Sequence, residues 1–265
     1  MNKLLLALML FGLSLAACGS SSSSDPSPPP TPPASTPPAR DYWPTDGWRS
    51  ADPATLGLDP SLPATLEATV ARELPYLNSL LIVKGGYLVH EAYFNGYSPD
   101  DPYTLNSVTK SVVSALYGMA IADGTISGPD TTLGKALPAT FEDGRYRDLA
   151  GITLGDLLRM LSGIAWDEGK LEQDLSAVAM EGGPEAGNEF FKRLDITDYV
   201  LQNGVAFRPG EAWSYSSGDS NLLSAAFSAL SGRSLEEYAA ERLFPALGIT
   251  TWDWIEDANG VNIGG

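Results

Sequence analysis

Ser107-Val108-Thr109-Lys110 opens the stretch on which the reading of this chain turns. Val112, Val113, Leu116, Tyr117, Met119 and Ala120 follow at helical spacing, and Asp123-Gly124 closes it. A separation of three places the serine and the lysine on one helix face. At a helix N-terminus the hydroxyl lies beside backbone N–H groups that lack an intrahelical partner, and their dipoles favour negative charge. Such a hydroxyl suits an acyl-transfer nucleophile. A lysine on a mostly apolar helix is partly desolvated, which favours the neutral amine, and a neutral amine can take the serine proton. Histidine is not needed, and His90 is the only imidazole through which a Ser-His-Asp triad could run. With six lysines and abundant serine the tetrapeptide also arises by chance, so its surroundings carry the argument.

Upstream, Ser79–Lys84 and Tyr87–Phe94 are rich in Leu, Ile, Val and Tyr and flank Gly85-Gly86, which predicts a β-hairpin with a two-residue turn. Before it, Asp59 or Ser61 caps a helix with apolar positions at Leu62, Leu66, Val70 and Leu74 and Pro75 near its end. Downstream, helix signals dominate. They are Thr153 with Asp156 three residues on, Thr197 running to Gly204, Asn221–Leu230 ending at Gly232, and Ser234 with Glu237 opening a helix to about Phe244. Thr251–Ile255 reads as a short third strand. A lone hairpin is marginal in water, and the sequence stops at Asn262-Ile263-Gly264-Gly265 with no cap or polar tail, so the sheet is expected to be incomplete and the chain truncated. His90 falls on the face of Leu88, Ala92 and Phe94 and reads as a packed or rim histidine. Asp167-Glu168 reads as solvated surface, with a place lining the cleft mouth as the alternative, and Gly182-Gly183 through Gly187-Asn188 reads as a flexible excursion that could lie over the site.

Composition narrows the function classes. The 265 residues, 43% of them hydrophobic, can bury a core, which excludes global disorder. A formal charge of −17 repels phosphate backbones and anionic headgroups, so nucleic-acid binding is not expected. Cys18 is the only cysteine, so no intrachain disulfide can form, and a zinc site would depend on His90 and carboxylates alone.

The first residues read as an address. Lys3 followed by the apolar run Leu4–Leu13 is too short for a spanning helix and right for a secretory signal peptide over residues 1–17. Residues 18–40 hold a serine run and a stretch, Asp25–Ala39, in which eight of fifteen residues are proline. Polyproline II geometry makes this a semi-rigid spacer of roughly 50–70 Å ahead of a folded domain at 41–265.

Two sets of motifs resemble known families. Leu15-Ala16-Ala17-Cys18 is similar to the lipobox of bacterial lipoproteins, which implies acylation of Cys18 and anchoring to a membrane through lipid alone, facing the periplasm or cell surface. The hairpin with Gly85-Gly86, Phe94-Asn95-Gly96-Tyr97 and Ser107-Val108-Thr109-Lys110-Ser111 resemble the start of the serine β-lactamase and penicillin-binding-protein superfamily. Leu157–Gly163 with Trp166 and Glu168, then Phe207-Arg208-Pro209-Gly210 before Trp213-Ser214-Tyr215-Ser216-Ser217, continue it over about residues 45–265. The pattern is most like that of class C-like esterases and 6-aminohexanoate-dimer hydrolases. The resemblance implies an α/β (α+β) fold, in which an antiparallel sheet is flanked by a mostly helical subdomain. It also implies that Tyr215 places a phenol beside Lys110 and Ser107, sharing the proton and passing it to the leaving group.

Two departures qualify this. Ser217 stands where penicillin-recognising enzymes usually have Asn, which weighs against antibiotic hydrolysis. The Lys- or His-x-Gly strand that supplies a second oxyanion-hole N–H in relatives is absent after residue 217, so the C-terminal strands are expected to be missing. The expectation is a serine hydrolase cleaving a small-molecule ester or amide through an acyl-enzyme, with catalytic residues Ser107, Lys110 and Tyr215 and no metal or organic cofactor implied. The alternatives are a truncated, non-catalytic surface lipoprotein that keeps the fold as a binding module, and a penicillin-binding peptidase.

Overall fold

A computed structural model describes residues 42–182 and 186–265. The signal peptide, Cys18, the proline-rich spacer and Gly183 lie outside the described residues. Among the described residues no helix is long and apolar enough to cross a membrane.

In helix α9 (Ser217–Ser231) every residue from Ser217 to Phe227 is buried. Small side chains at Ser217, Gly218, Ser220, Ser224, Ala225 and Ala226 let neighbouring helices approach it from several sides. Helix α2 (Thr109–Ala122) packs against it through Val113, Leu116, Tyr117 and Ala120. The Tyr117 hydroxyl donates to the Leu223 carbonyl at 2.6 Å, and its ring meets Phe227 edge-on with centroids 5.4 Å apart. Burial with no neighbouring charge pushes the Tyr117 phenol well above its ordinary pKa.

Local chemistry sets the remaining helix ends. Thr153 and Asp156 form a reciprocal capping box on α5 (Leu154–Leu158), as do Ser234 and Glu237 on α10 (Leu235–Arg242). Helix α8 (Ile196–Leu201) is capped by Asp195, two residues before the predicted Thr197. Gly232 ends α9 at φ 71°. Helix α1 (Leu62–Glu73) forms where its spacing predicts, yet Val70 is its only buried residue. Four helices carry no signal read from the sequence: α3 (Leu133–Ala136), α4 (Pro138–Phe141), α6 (Glu168–Gly182) and α7 (Ala186–Phe191). The last places Gly187-Asn188 in a helix rather than a flexible excursion.

The hairpin forms as predicted, with β1 (Ser79–Lys84) antiparallel to β2 (Tyr87–Tyr93) and a bulge between Ile82 and Val83. Gly85 and Gly86 adopt φ 59° and 90°, which only glycine takes at little cost. Among the described residues the sheet has these two strands. The third strand expected at Thr251–Ile255 is not formed. Instead, Trp252 Nε1 donates to Glu236 at 3.0 Å and Trp254 Nε1 to the Ile263 carbonyl at 2.8 Å, so the segment docks through its indoles rather than through a backbone ladder. His90 is buried, as its position in β2 implies.

Asp123 at the end of α2 ties that helix to α10. It accepts from Tyr238 Oη at 2.7 Å, pairs with Arg242 at 3.1 Å, and accepts from the Thr125 amide at 3.0 Å. Hydrogen bonds from Thr125 and Tyr238, with Arg242 nearby, hold its carboxyl at about 2, below its ordinary 3.8. A depressed carboxyl stabilises the fold above its unfolded pKa, and that contribution disappears as pH falls from about 4 to 2. Asp123→Asn is therefore expected to lower Tm at pH 7 and to flatten the fall in Tm below pH 4, both read by thermal melts across pH.

Candidate active site

Ser107 lies in a 3-10 turn, Asn106–Val108, that leads directly into α2, rather than in the first turn of the α-helix itself. Asn106 takes φ 46°, a left-handed conformation that non-glycine residues rarely adopt, and it turns the exposed Ser107 side chain outward at the positive end of the α2 dipole. Lys110, the second residue of α2, is half-buried. Its Nζ donates to Ser107 Oγ at 2.9 Å and to Ser217 Oγ at 3.0 Å. Tyr215 Oη donates to Ser107 Oγ at 2.7 Å, and its ring centroid lies 5.2 Å from Lys110 Nζ. The three residues singled out in the sequence thus converge on one hydroxyl, across 108 residues of chain.

A turn more than fifty residues earlier in the chain sets the position of Tyr215. The segment from Val205 to Ser216 has no regular secondary structure and is fastened to residues 160–163 by backbone hydrogen bonds. Ala206 and Phe207 amides donate to Gly163 O at 2.8 and 3.1 Å, Gly210 to Leu161 O at 2.8 Å, and Ser214 to Met160 O at 3.1 Å. Ser216 then caps α9, its Oγ accepting from the Asp219 amide at 2.9 Å.

Four further residues, Ser217, Glu168, Trp166 and Gly265, surround these three in positions the sequence did not assign them. Ser217, weighed there only as a missing Asn, is the second hydroxyl on Lys110 Nζ. Glu168, expected on solvated surface, instead accepts from the Ser217 amide and, at 2.8 Å, from the Trp166 indole. Trp166 covers Gly218 so closely that a Cβ there would meet its ring at 2.8 Å. Gly265 closes the far side of Lys110, since a Cβ on it would lie 2.7 Å from Lys110 Cγ and 3.0 Å from Nζ.

Beneath these lies Asp219, whose Oδ1 accepts from Ser162 Oγ at 2.6 Å and Ser216 Oγ at 3.0 Å. Burial, opposed by those hydroxyls, pushes its carboxyl up to about 6. Among the described residues no group of three or more His, Cys, Asp and Glu side chains is placed to hold a metal ion. A cavity of about 580 Å³ lies beside Arg145, Tyr146, Asp198 and Gln202, and none of its lining residues belongs to the Ser107 cluster.

The Beta-lactamase family model matches residues 78–262, a span that includes the hairpin, Ser107, Lys110 and Tyr215. The chain belongs to the β-lactamase family. Solved structures of that fold align with it. One is a protein from Bacillus anthracis provisionally named a 6-aminohexanoate-dimer hydrolase, with TM-score 0.58 and 20% identity over 75% of this chain and 51% of that one. A penicillin-binding protein from Bacillus halodurans aligns with TM-score 0.50 and 21% identity, over 68% of this chain and 54% of its own. An octameric penicillin-binding-protein homologue from Pyrococcus abyssi aligns with TM-score 0.50 and 21% identity, over 73% and 42%. At such identities the likeness shows the fold, an α/β architecture of helices with a small antiparallel sheet. This β-lactamase-family chain spans about half the length of the solved structures it matches. No curated protein sequence matches it.

Proposed function

We propose that this protein is a serine hydrolase that cleaves a small-molecule ester or amide through an acyl-enzyme on Ser107. The observation that carries this reading is the convergence on Ser107 Oγ of Lys110 Nζ at 2.9 Å and Tyr215 Oη at 2.7 Å. Both lie within the reach required for proton transfer in a single step.

In the proposed reaction the neutral amine of Lys110 takes the proton of Ser107 Oγ as that oxygen forms a bond to the substrate carbonyl carbon. The tetrahedral oxyanion develops at the N-terminal end of α2, where the helix dipole favours it. Tyr215 passes a proton to the departing alcohol or amine as its bond to carbon breaks, and recovers one from the Lys110 ammonium. Water then attacks the acyl-enzyme by the same route in reverse, giving up its proton and releasing the acid and Ser107. Ser217 Oγ and Ser107 Oγ together hold Nζ between them, so the amine has one position rather than a range of rotamers.

The sequence adds a location to this proposal: acylation at Cys18 would tether the domain to a membrane by lipid alone, with the proline-rich spacer holding it off the surface.

The test is a stopped-flow reaction with a p-nitrophenyl ester in excess. Wild-type protein is expected to release a burst of p-nitrophenolate close to one equivalent per chain, followed by slower turnover. Ser107→Ala is expected to abolish the burst while leaving Tm within about 3 °C, since Ser107 is exposed. Equal release by the two proteins would reject the proposal.

A further inference from the structure

Asp219 takes no part in the reaction proposed above, yet it is the most deeply buried carboxylate among the described residues, 1% exposed. One of its oxygens, Oδ2, has no hydrogen-bond partner. A buried carboxylate left half-satisfied destabilises a fold, and an apolar side chain capping nothing would pack there more cheaply. The other oxygen is fully occupied, and by groups from two different parts of the chain. Ser162 Oγ, 57 residues away, donates to Oδ1 at 2.6 Å, and Ser216 Oγ donates to the same atom at 3.0 Å.

Those two serines sit on the two sides of the junction that sets the phenol. Ser162 lies in the turn that follows Met160, a non-glycine residue at φ 57°, and its Oγ also accepts from the Ile164 amide at 3.2 Å. Ser216 stands between Tyr215, which reaches Ser107, and Ser217, which reaches Lys110. The other ties between the turn and this segment are backbone hydrogen bonds further upstream, the nearest being Ser214 to Met160 O at 3.1 Å. No side chain other than Asp219 links the 160–163 turn to Ser216 among the described hydrogen bonds.

We propose that Asp219 is a positioning residue: by gathering Ser162 and Ser216 on a single oxygen, it pins Tyr215 and Ser217 to the 160–163 turn and so fixes the phenol against Ser107 and the second hydroxyl against Lys110. Its effect on turnover rests on the reading of Tyr215 as the proton carrier, whereas the pinning itself does not. The important property is an acceptor at Oδ1, which asparagine retains and alanine lacks.

The experiment compares wild type, Asp219→Asn and Asp219→Ala, each at the same interval below its own Tm, by hydrogen exchange with mass spectrometry and by steady-state kinetics on the p-nitrophenyl ester. Asp219→Ala is expected to speed exchange in peptides covering residues 211–218 at least tenfold while leaving those of α2 within twofold. Asp219→Asn is expected to keep both within threefold. The kinetics are expected to show kcat falling at least tenfold in Asp219→Ala with KM within twofold, and recovering to within threefold of wild type in Asp219→Asn. Should Asp219→Ala fail to fold, Ser162→Ala, which removes one of the two donors, is read by the same exchange test, with at least a threefold increase in residues 211–218. Exchange in 211–218 that stays at the wild-type rate, or that rises no more than in α2, would overturn the proposal. If wild-type protein shows no ester turnover, the catalytic reading fails, and the exchange pattern still decides the pinning.

Discussion

Lys110→Met is expected to reduce the rate of Ser107 acylation by about 10³, within the range of about 10²–10⁴ that a positioned general base contributes. Methionine fills much of the lysine volume on the half-buried face of α2, so the fold keeps its packing while Ser107 Oγ loses the amine bonded to it, the base in the proposed reaction. Tm should move by no more than a few degrees. Tyr215→Phe is expected to cost less, about 10²-fold, because the amine remains in contact with Ser107 and only the proposed relay to the leaving group is lost. Single-turnover rates of p-nitrophenolate release check both. A Lys110→Met protein that acylates within tenfold of wild type would exclude the amine as the base.

Gly163→Ala is expected to produce a large structural effect for a single methyl group near the site. Gly163 takes φ 75°, and a Cβ there would overlap the Phe207 carbonyl oxygen and lie 2.9 Å from its carbonyl carbon. Backbone atoms cannot rotate away as a side chain can, so the 160–163 turn and the 206–207 segment must separate. The left-handed conformation costs about 1 kcal/mol for alanine, and the overlap brings the total above about 3 kcal/mol, in the range of strained or overpacked sites. At about 2–4 °C per kcal/mol for a domain of this size, Tm should fall by roughly 10 °C. Gly204→Ala is the control: its φ is 69°, but nothing lies within 4 Å of the added methyl, so only the conformational cost of about 1 kcal/mol should appear. Because the Gly163 carbonyl anchors the strand of chain that ends at Tyr215, Gly163→Ala should also lose activity, whereas Gly204→Ala should not.

Features set by neighbouring residues were legible in the sequence. The capping pairs Thr153/Asp156 and Ser234/Glu237, the glycine turn of the hairpin and the glycine that ends α9 all act within a few residues, and each forms as written. Helix α6 was not legible because it is mostly exposed, so it shows no strong apolar stripe, while α3 and α4 are too short to show a period at all. The misread strand at Thr251–Ile255 has the alternation of a strand, yet its two indoles find partners on α10 and at Ile263, and its backbone is tied to Ile263 by a single hydrogen bond at Ile255 O, 2.8 Å, rather than by a ladder.

The site divides in the same way. Ser107 and Lys110 are three residues apart, so their contact follows from local geometry, even though the serine sits in a 3-10 turn rather than on the α-helix. Tyr215 came from resemblance to a family, because nothing local connects it to residue 107. Ser217, Glu168 and Asp219 were beyond reach, since their roles depend on partners 107, 49 and 57 residues away. Asp219 in particular looks like an ordinary acidic residue in the first turn of a helix until the turn carrying Ser162 is folded onto it.

The central claim is that an amine and a phenol together activate Ser107. The most direct test is the intact mass of the protein after exposure to a fluorophosphonate, followed by mapping of the adduct. A single adduct on Ser107 is expected in wild-type protein, forming about 10³-fold more slowly in Lys110→Met and not at all in Ser107→Ala. An unmodified wild-type protein, or an adduct that persists in Ser107→Ala, would contradict it.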